Sequence, residues 1–390
     1  MRLAHFAKPR GQCAPGWRRC RNLLVLLPAA VVLSAGLAAA EIDRRGGQFI
    51  GLRDLSAFHV TPGTNQHERV LTSRPLVTGL LWNELIVSWN ADMPPQTYLR
   101  VEARPLYADR ATKYYVLGQW SSAPTQFPRQ SFKHQKDADG DVDTDTLLVT
   151  QRAERAEVRL VLGGLAGALP KVKFLGMHFL DSTARPAPLP PNRAAWGQTL
   201  PVPERSQMAY VGGEVWCSPA TVSMLLGFWA AQCGRSDWAR DVPEVASGVF
   251  DPVWGGTGNW VFNTAYAGAL PGLRAYVTRL SDVAELETWV AQGLPVGLSL
   301  CYNRLRGASR EPSGHLVVCV GFTRDGDAVI NDPGTRQNVR KVFPRANLVD
   351  AWAYSKNAAY IIMPEERAAP KDRFGHWDSS TSRRWVRFAR

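Results

Sequence analysis

The chain has 390 residues, of which 45% are hydrophobic and 21% charged, with 33 Gly and 27 Pro. That composition excludes a disordered or collagen-like chain, and the length allows two or three domains, each able to bury a core. The formal charge of +12 would suit a polyanion binder, but its placement along the chain argues otherwise.

Residues 1–40 hold Arg2, Lys8, Arg10, Arg18, Arg19 and Arg21 and no acidic residue. The apolar run Asn22–Gly36 and the small residues up to Ala40 follow. A basic start, a short Pro-broken apolar stretch and a small-residue cleavage site predict a secretory signal, cut after Ala40, and not a spanning helix. Its removal leaves 40 basic against 34 acidic residues, a charge of +6. The charge therefore argues for export to the periplasm or the extracellular space and against a nucleic-acid partner. Loss of Cys13 and Cys20 leaves Cys217, Cys233, Cys301 and Cys319, too few for a disulfide framework.

Residues 41–183 read as strands. Leu85–Trp89, Tyr98–Ala103 and Val158–Leu162 carry β-branched or alternating apolar residues between turn-rich pieces, with no helix-length periodicity among them. The expectation is an antiparallel β-sandwich, jelly-roll-like, with an envelope component or carbohydrate as its ligand class. Within it, Asp137, Asp139, Asp141, Asp143 and Asp145 alternate. An EF-type calcium loop needs Gly sixth and Glu twelfth, where this chain has Val142 and Leu148. A solvated acidic hairpin is expected instead.

Residues 184–203 contain six prolines and predict an extended, semi-rigid linker. From 204 to 364 the pattern becomes α+β. A helix is expected from Pro219 to Trp229, and a second from Asp282 to Gln292 behind a Ser281 cap, ending at Gly293. Strands follow at Pro295–Leu300, His315–Phe322 and Ala328–Asn331, the last two joined by an Asp325-Gly326 hairpin turn. Residues 365–390 form a mixed-charge tail, expected to be a flexible or partner-binding extension.

Cys217 stands in Gly212-Gly213-Glu214-Val215-Trp216-Cys217-Ser218-Pro219, a glycine-containing loop running into a helix. A helix N-terminus favours thiolate over thiol, which suits a nucleophile; the plainer alternative is a buried structural cysteine beside Trp216. His315 opens an apolar strand, and Asn331-Asp332-Pro333 closes the next one. Adjacent antiparallel strands would bring His315 and Asp332 together, giving nucleophile, general base and orienting carboxylate in the order Cys, His, Asp. Gly255–Trp260 lacks the Lys-Ser/Thr ending of a phosphate loop. It reads as a tight loop on the cleft wall, with Trp216, Asn259, Trp260 and Asn263 as candidate substrate contacts. The scattered His59, His67, His134 and His178 lack ligand spacing, so neither a metal nor another cofactor is expected.

From Arg205 to about Pro364 these motifs, in this order, resemble the papain-like double-glycine leader (bacteriocin-processing) cysteine peptidases, and more closely their stand-alone secreted relatives. The matching residues are Ser206-Gln207, Trp216-Cys217-Ser218-Pro219-Ala220, Gly256-Thr257-Gly258-Asn259-Trp260, Gly314–Val318 and Asn331-Asp332-Pro333. The resemblance implies a papain-like fold, a thioester intermediate, and catalytic roles for Cys217, His315 and Asp332. It also implies that Gln207 donates to the oxyanion, although it stands ten residues before Cys217, with Gly212-Gly213 between. The leader substrate does not carry over to an exported chain without a transporter segment, so a peptide or protein substrate is the broader expectation. The same triad would serve a peptidyl or amide transferase. A binding protein with a non-catalytic peptidase-like domain is the reading from another class.

Overall fold

A computed structural model of the protein describes residues 43–378. The expected export signal lies outside the described residues.

The N-terminal half contributes β1 (Gly47–Leu52), β2 (His59–Pro62), β3 (Glu68–Thr72), β4 (Leu76–Asp92) and β5 (Thr97–Leu106). β6 (Tyr115–Trp120), β7 (Gly140–Asp143), β8 (Thr146–Gly164) and β9 (Lys171–Leu180) complete it. Alternation sets the faces: Leu99, Val101 and Ala103 of β5 are buried in the core, while Arg100 and Arg104 on the opposite face reach solvent and Glu102 between them is buried under Arg100 and Arg159. The nine strands form one antiparallel sheet and not the two sheets of a sandwich, so the jelly-roll expectation is corrected.

The reason is the length of β8. Its first residues lie between β7 and β4, and its last between β5 and β3, so two arms share it. β3 and β4 run end to end along it, interrupted at Ser73–Pro75, where the ladder breaks because proline has no N–H. Ser73 bridges the gap: its N–H donates to Val158 O (2.9 Å), and its Oγ accepts from Val158 N–H (3.0 Å).

The C-terminal half opens with β10 (Gln198–Thr199), α1 (Cys217–Cys233), α2 (Val242–Val249) and α3 (Trp260–Ala269). β11 (Leu273–Arg279), α4 (Val283–Ala291), β12 (Val296–Cys301), α5 (Tyr302–Leu305) and β13 (Gly314–Phe322) come next. β14 (Ala328–Asn331), β15 (Arg340–Phe343), α6 (Arg345–Ala353) and β16 (Ala358–Pro364) close it. The sheet runs β11-β16-β12-β13-β14-β15, with β10 added to β13. α1 is buried along most of its length, packs on this sheet and ends at Gly234 in the left-handed region. The second expected helix is capped one residue later than expected: Asp282, not Ser281, accepts from Ala284 N–H, while Ser281 donates to Glu285.

The proline-rich segment is extended but docked. Glu287 of α4 is fully buried, pairs with Arg345, and takes two further donors from that strap: Asn192 N–H and Trp196 Nε1–H, each at 2.7 Å. A buried carboxylate without such partners would be costly, which holds the segment down. The tail expected to be flexible is likewise packed as far as Asp378. His376 lies between Glu285 and Arg44 O, and Tyr276 donates to Trp377 O.

The two halves form one compact unit. Side chains of β4 close the edge of β11 that β16 leaves open: Asn90 exchanges hydrogen bonds with Ala275 (2.7 and 3.0 Å), and Ser88 accepts from Val277 N–H (2.9 Å). Phe262 of α3 packs against Trp89 and Trp120 from the two arms of the N-terminal sheet. Arg279, at the end of β11, pairs with the buried Glu84 of β4, which Lys356 also meets.

Candidate active site

Cys217 is the first residue of α1, placed there by a sharply folded approach. Gly212 adopts φ +78°, and a Cβ on Gly213 would fall 1.9 Å from Gln207 O. The two glycines let the chain double back past Gln207 and enter the helix at the thiol. Cys217 is half-buried and all four described cysteines are free, Cys301 and Cys319 in the core and Cys233 exposed. Burial pushes the Cys217 thiol up, but hydrogen bonding and charge from His315, with the N–H groups of Leu316 and Ser218, outweigh it. The net shift is downward, toward thiolate.

His315 is the second residue of β13 and Asp332 follows β14, so one hairpin carries both. His315 Nε2 lies 2.9 Å from Asp332 Oδ1, which leaves Nδ1 as the nitrogen for Cys217. Burial opposes the imidazolium, yet Asp332 and Cys217 raise His315 to about 9. Asp332 is fully buried and fixed by Tyr302 Oη–H (2.8 Å), Gly334 N–H (2.9 Å) and Lys341 at 3.6 Å. Tyr302 also packs its ring on His315, with centroids 4.2 Å apart. Gly334 lets this happen, since a Cβ there would stand 3.1 Å from His315 Cε1. Neither Tyr302 nor Gly334 is among the residues expected from the sequence; the Gly directly after Asp332-Pro333 is the turn signal that could have placed Gly334.

Gln207 lies beside Cys217 in the lining of the same cleft, of about 540 Å³. Its amide does not aim N–H groups at the thiol side as expected. Nε2 donates to Gly213 O (2.9 Å) and Glu214 O (2.8 Å), bracing the turn before Cys217, and Oε1 is buried without a partner.

Trp260 lines the cleft, but Trp216 lines a neighbouring depression of about 530 Å³ with Pro128 and Phe250. Asn259 and Asn263 are fully buried and are corrected as substrate contacts. Asn259 caps α3 through Phe262 N–H, and Asn263 donates to Thr257 O and Asn259 O, so both shape the loop from within.

The sequence also did not point to Trp254, Glu214 and Tyr354 on the cleft wall, nor to a wall from the N-terminal half. That wall is the turn from β7 into β8, Asp143–Thr146. The acidic hairpin is therefore not uniformly solvated. Asp145 is buried and accepts from Trp260 N–H at 2.6 Å across the two halves, and burial pushes its carboxyl up to about 6.

Two family models match the sequence: "Peptidase C39 N-terminal domain" over residues 56–179 and "Peptidase_C39 like family" over residues 199–360. A solved structure from Bacillus anthracis, described as that of a C39-like peptidase, is 16% identical and covers 44% of this chain and 100% of its own, with a TM-score of 0.35. Modules of endo-1,4-beta-D-xylanase 10B from Clostridium thermocellum are 9% identical and cover 41% of this chain and 31% of their own, with a TM-score of 0.11. Neither superposition is close enough to carry an argument. No curated protein matches the sequence.

Proposed function

Because the chain belongs to the C39-like peptidase family, we propose that it is an exported cysteine peptidase acting through Cys217, His315 and Asp332. The observation that carries this reading is the position of the His315 ring, held by Asp332 through Nε2 and lining the same cleft as Cys217, whose thiol it pulls down. A lowered thiol beside a raised imidazole favours the thiolate–imidazolium pair at rest. The thiolate attacks the amide carbonyl, and His315 gives its proton to the departing amine, leaving a Cys217 thioester. Water, deprotonated by His315, then releases the acid. Asp332 keeps the ring oriented and stabilises its charge throughout. Export remains part of this proposal, on the strength of residues 1–40.

The oxyanion needs donors. The first N–H groups of α1 have no helical carbonyl to bond, so the Cys217 N–H supplies one. Gln207 supplies the second by exchanging Gly213 O or Glu214 O for the substrate oxygen, as such contacts tighten only on binding. Gln207→Ala is therefore expected to lower kcat about 10²-fold with little change in KM. A change confined to KM would restrict Gln207 to bracing the turn.

Alkylation tests the resting pair directly. Iodoacetamide at neutral pH is expected to modify Cys217 faster than the exposed Cys233, with the Cys217 rate sustained below the ordinary thiol range. Turnover should fall above about pH 9, where His315 loses its proton. Asp332→Asn removes the carboxylate that favours the imidazolium, so it should move this alkaline limb downward. Equal alkylation rates at the two cysteines would remove the nucleophile from the proposal.

A further inference from the structure

We infer that the cleft selects peptides with a lysine or arginine side chain beside the bond that is cut, and that the N-terminal half supplies part of this selection through Asp143. The inference rests on the peptidase reading and deepens it.

The cleft is one-sided in charge. Asp143, at the end of β7, and Glu214, in the turn before Cys217, are both exposed on its wall. Neither carboxylate has an ion-pair or hydrogen-bond partner among the described residues. Other acids of the same hairpin are matched, Asp137 by Lys113 and Asp139 by Arg110. Asp145 adds a third carboxylate, already engaged at Trp260 N–H. Among the described residues no lysine or arginine lines the cleft, and the basic group that does, His315, is held by Asp332.

A second observation, independent of charge, also points to a ligand that brings donors. Gln207 is 3% exposed and lines the cleft; both its N–H groups are taken up by the turn, and its Oε1 has no hydrogen-bond partner among the described residues. A buried amide oxygen left without a donor is costly, so a ligand that brings one is favoured beside it. Trp254 and Tyr354, each more than two-fifths exposed, offer ring faces beside these acceptors. A long aliphatic stem can lie along the rings while its cation meets the carboxylates. An acidic side chain in the same place would meet uncompensated negative charge, which discriminates by repulsion as well as attraction.

The test uses the whole protein and needs no knowledge of the natural substrate. Cys217 is modified with a cationic methanethiosulfonate, the trimethylammonioethyl reagent, and with the anionic sulfonatoethyl reagent, and the rate ratio is compared with that of mercaptoethanol. At low salt the ratio should favour the cation about tenfold or more beyond the free thiol. It should fall most of the way back in the Asp143→Asn, Glu214→Gln double variant and in ~1 M salt. Three peptides differing only in Lys, norleucine or Glu then read selection in catalysis: the Lys peptide should have the highest kcat/KM, with the gap closing in the double variant. Both substitutions are at exposed, unpaired positions, and an unchanged melting temperature verifies the fold. A ratio equal to that of mercaptoethanol, or one the double variant leaves unchanged, overturns the inference whatever the enzyme cleaves. A strong cation preference with no cleavage of any of the three peptides overturns the peptidase reading and supports the charge selection on its own.

Discussion

Cys217→Ala is expected to abolish peptide cleavage, with kcat reduced by about 10⁴ to 10⁶-fold, while the protein remains folded. The thiol is half-buried at the first residue of α1, so alanine leaves only a small void and suits a helix start. His315→Ala should cost a similar factor, because a thiolate without its imidazole has neither its activating charge nor a proton to give the departing amine. The double variant should be no worse than either single one, since groups that act as a unit do not contribute independently. Cys233→Ala is the control: it lies at the far end of the same helix, exposed, about 24 Å away at 1.5 Å per residue. Steady-state kinetics on one cleaved peptide decide the matter. Multiplicative losses at Cys217 and His315, or a Cys217→Ala enzyme within tenfold of the wild type, would break the assignment.

Arg279→Leu is expected to destabilise the protein by about 3–5 kcal/mol, the usual cost of removing one partner from a buried ion pair. Arg279 and Glu84 are each about 5% exposed, and the substitution leaves Glu84 with Lys356 alone. Adding Glu84→Leu should restore most of the loss, because an apolar pair no longer strands a charge. The pair ties β4 to β11, so the damage should appear as early separation of the two halves in urea, read by tryptophan fluorescence. The pH dependence follows from the carboxylate. Burial pushes Glu84 up, but Arg279 and Lys356 pull it down further, leaving it below the ordinary value of 4.5. Its contribution is therefore fully present above pH 4.5 and is lost as pH falls through the lower folded value. In the double variant this part of the acid sensitivity should vanish. An unchanged urea midpoint in Arg279→Leu would show that the pair does not hold the halves together.

The parts of the fold written in local pattern were legible in the sequence. The helix after Cys217, the hairpin carrying His315 and Asp332, and the strands around Trp89 and Val101 all follow from periodicity and turn residues. What was missed depends on partners distant in the chain. One sheet replaces two because β8 is long enough to serve both arms, and nothing in its alternation reports which strands flank each end. Asn259 and Asn263 looked like ligand contacts because they are polar beside a glycine loop, yet both are spent inside that loop. Asp145 looked like one solvated acid among five, and only the approach of the β7–β8 turn to the start of α3 makes it the acceptor for Trp260 N–H, 115 residues away.

The side chains of Ser88 and Asn90 that close β11 bear on the order in which the protein is made. β11 is a β-strand with an unpaired flank until something covers it, and such flanks recruit strands from other molecules. The groups that cover it are encoded about 185 residues earlier. During synthesis the N-terminal sheet can therefore be complete before β11 emerges, and the strand is met by its cover as it appears. A C-terminal half expressed from residue 199 onward would make that edge with nothing to shield it. Such a fragment should associate through β11 into higher oligomers, an outcome that size-exclusion chromatography of the fragment beside the whole chain would show.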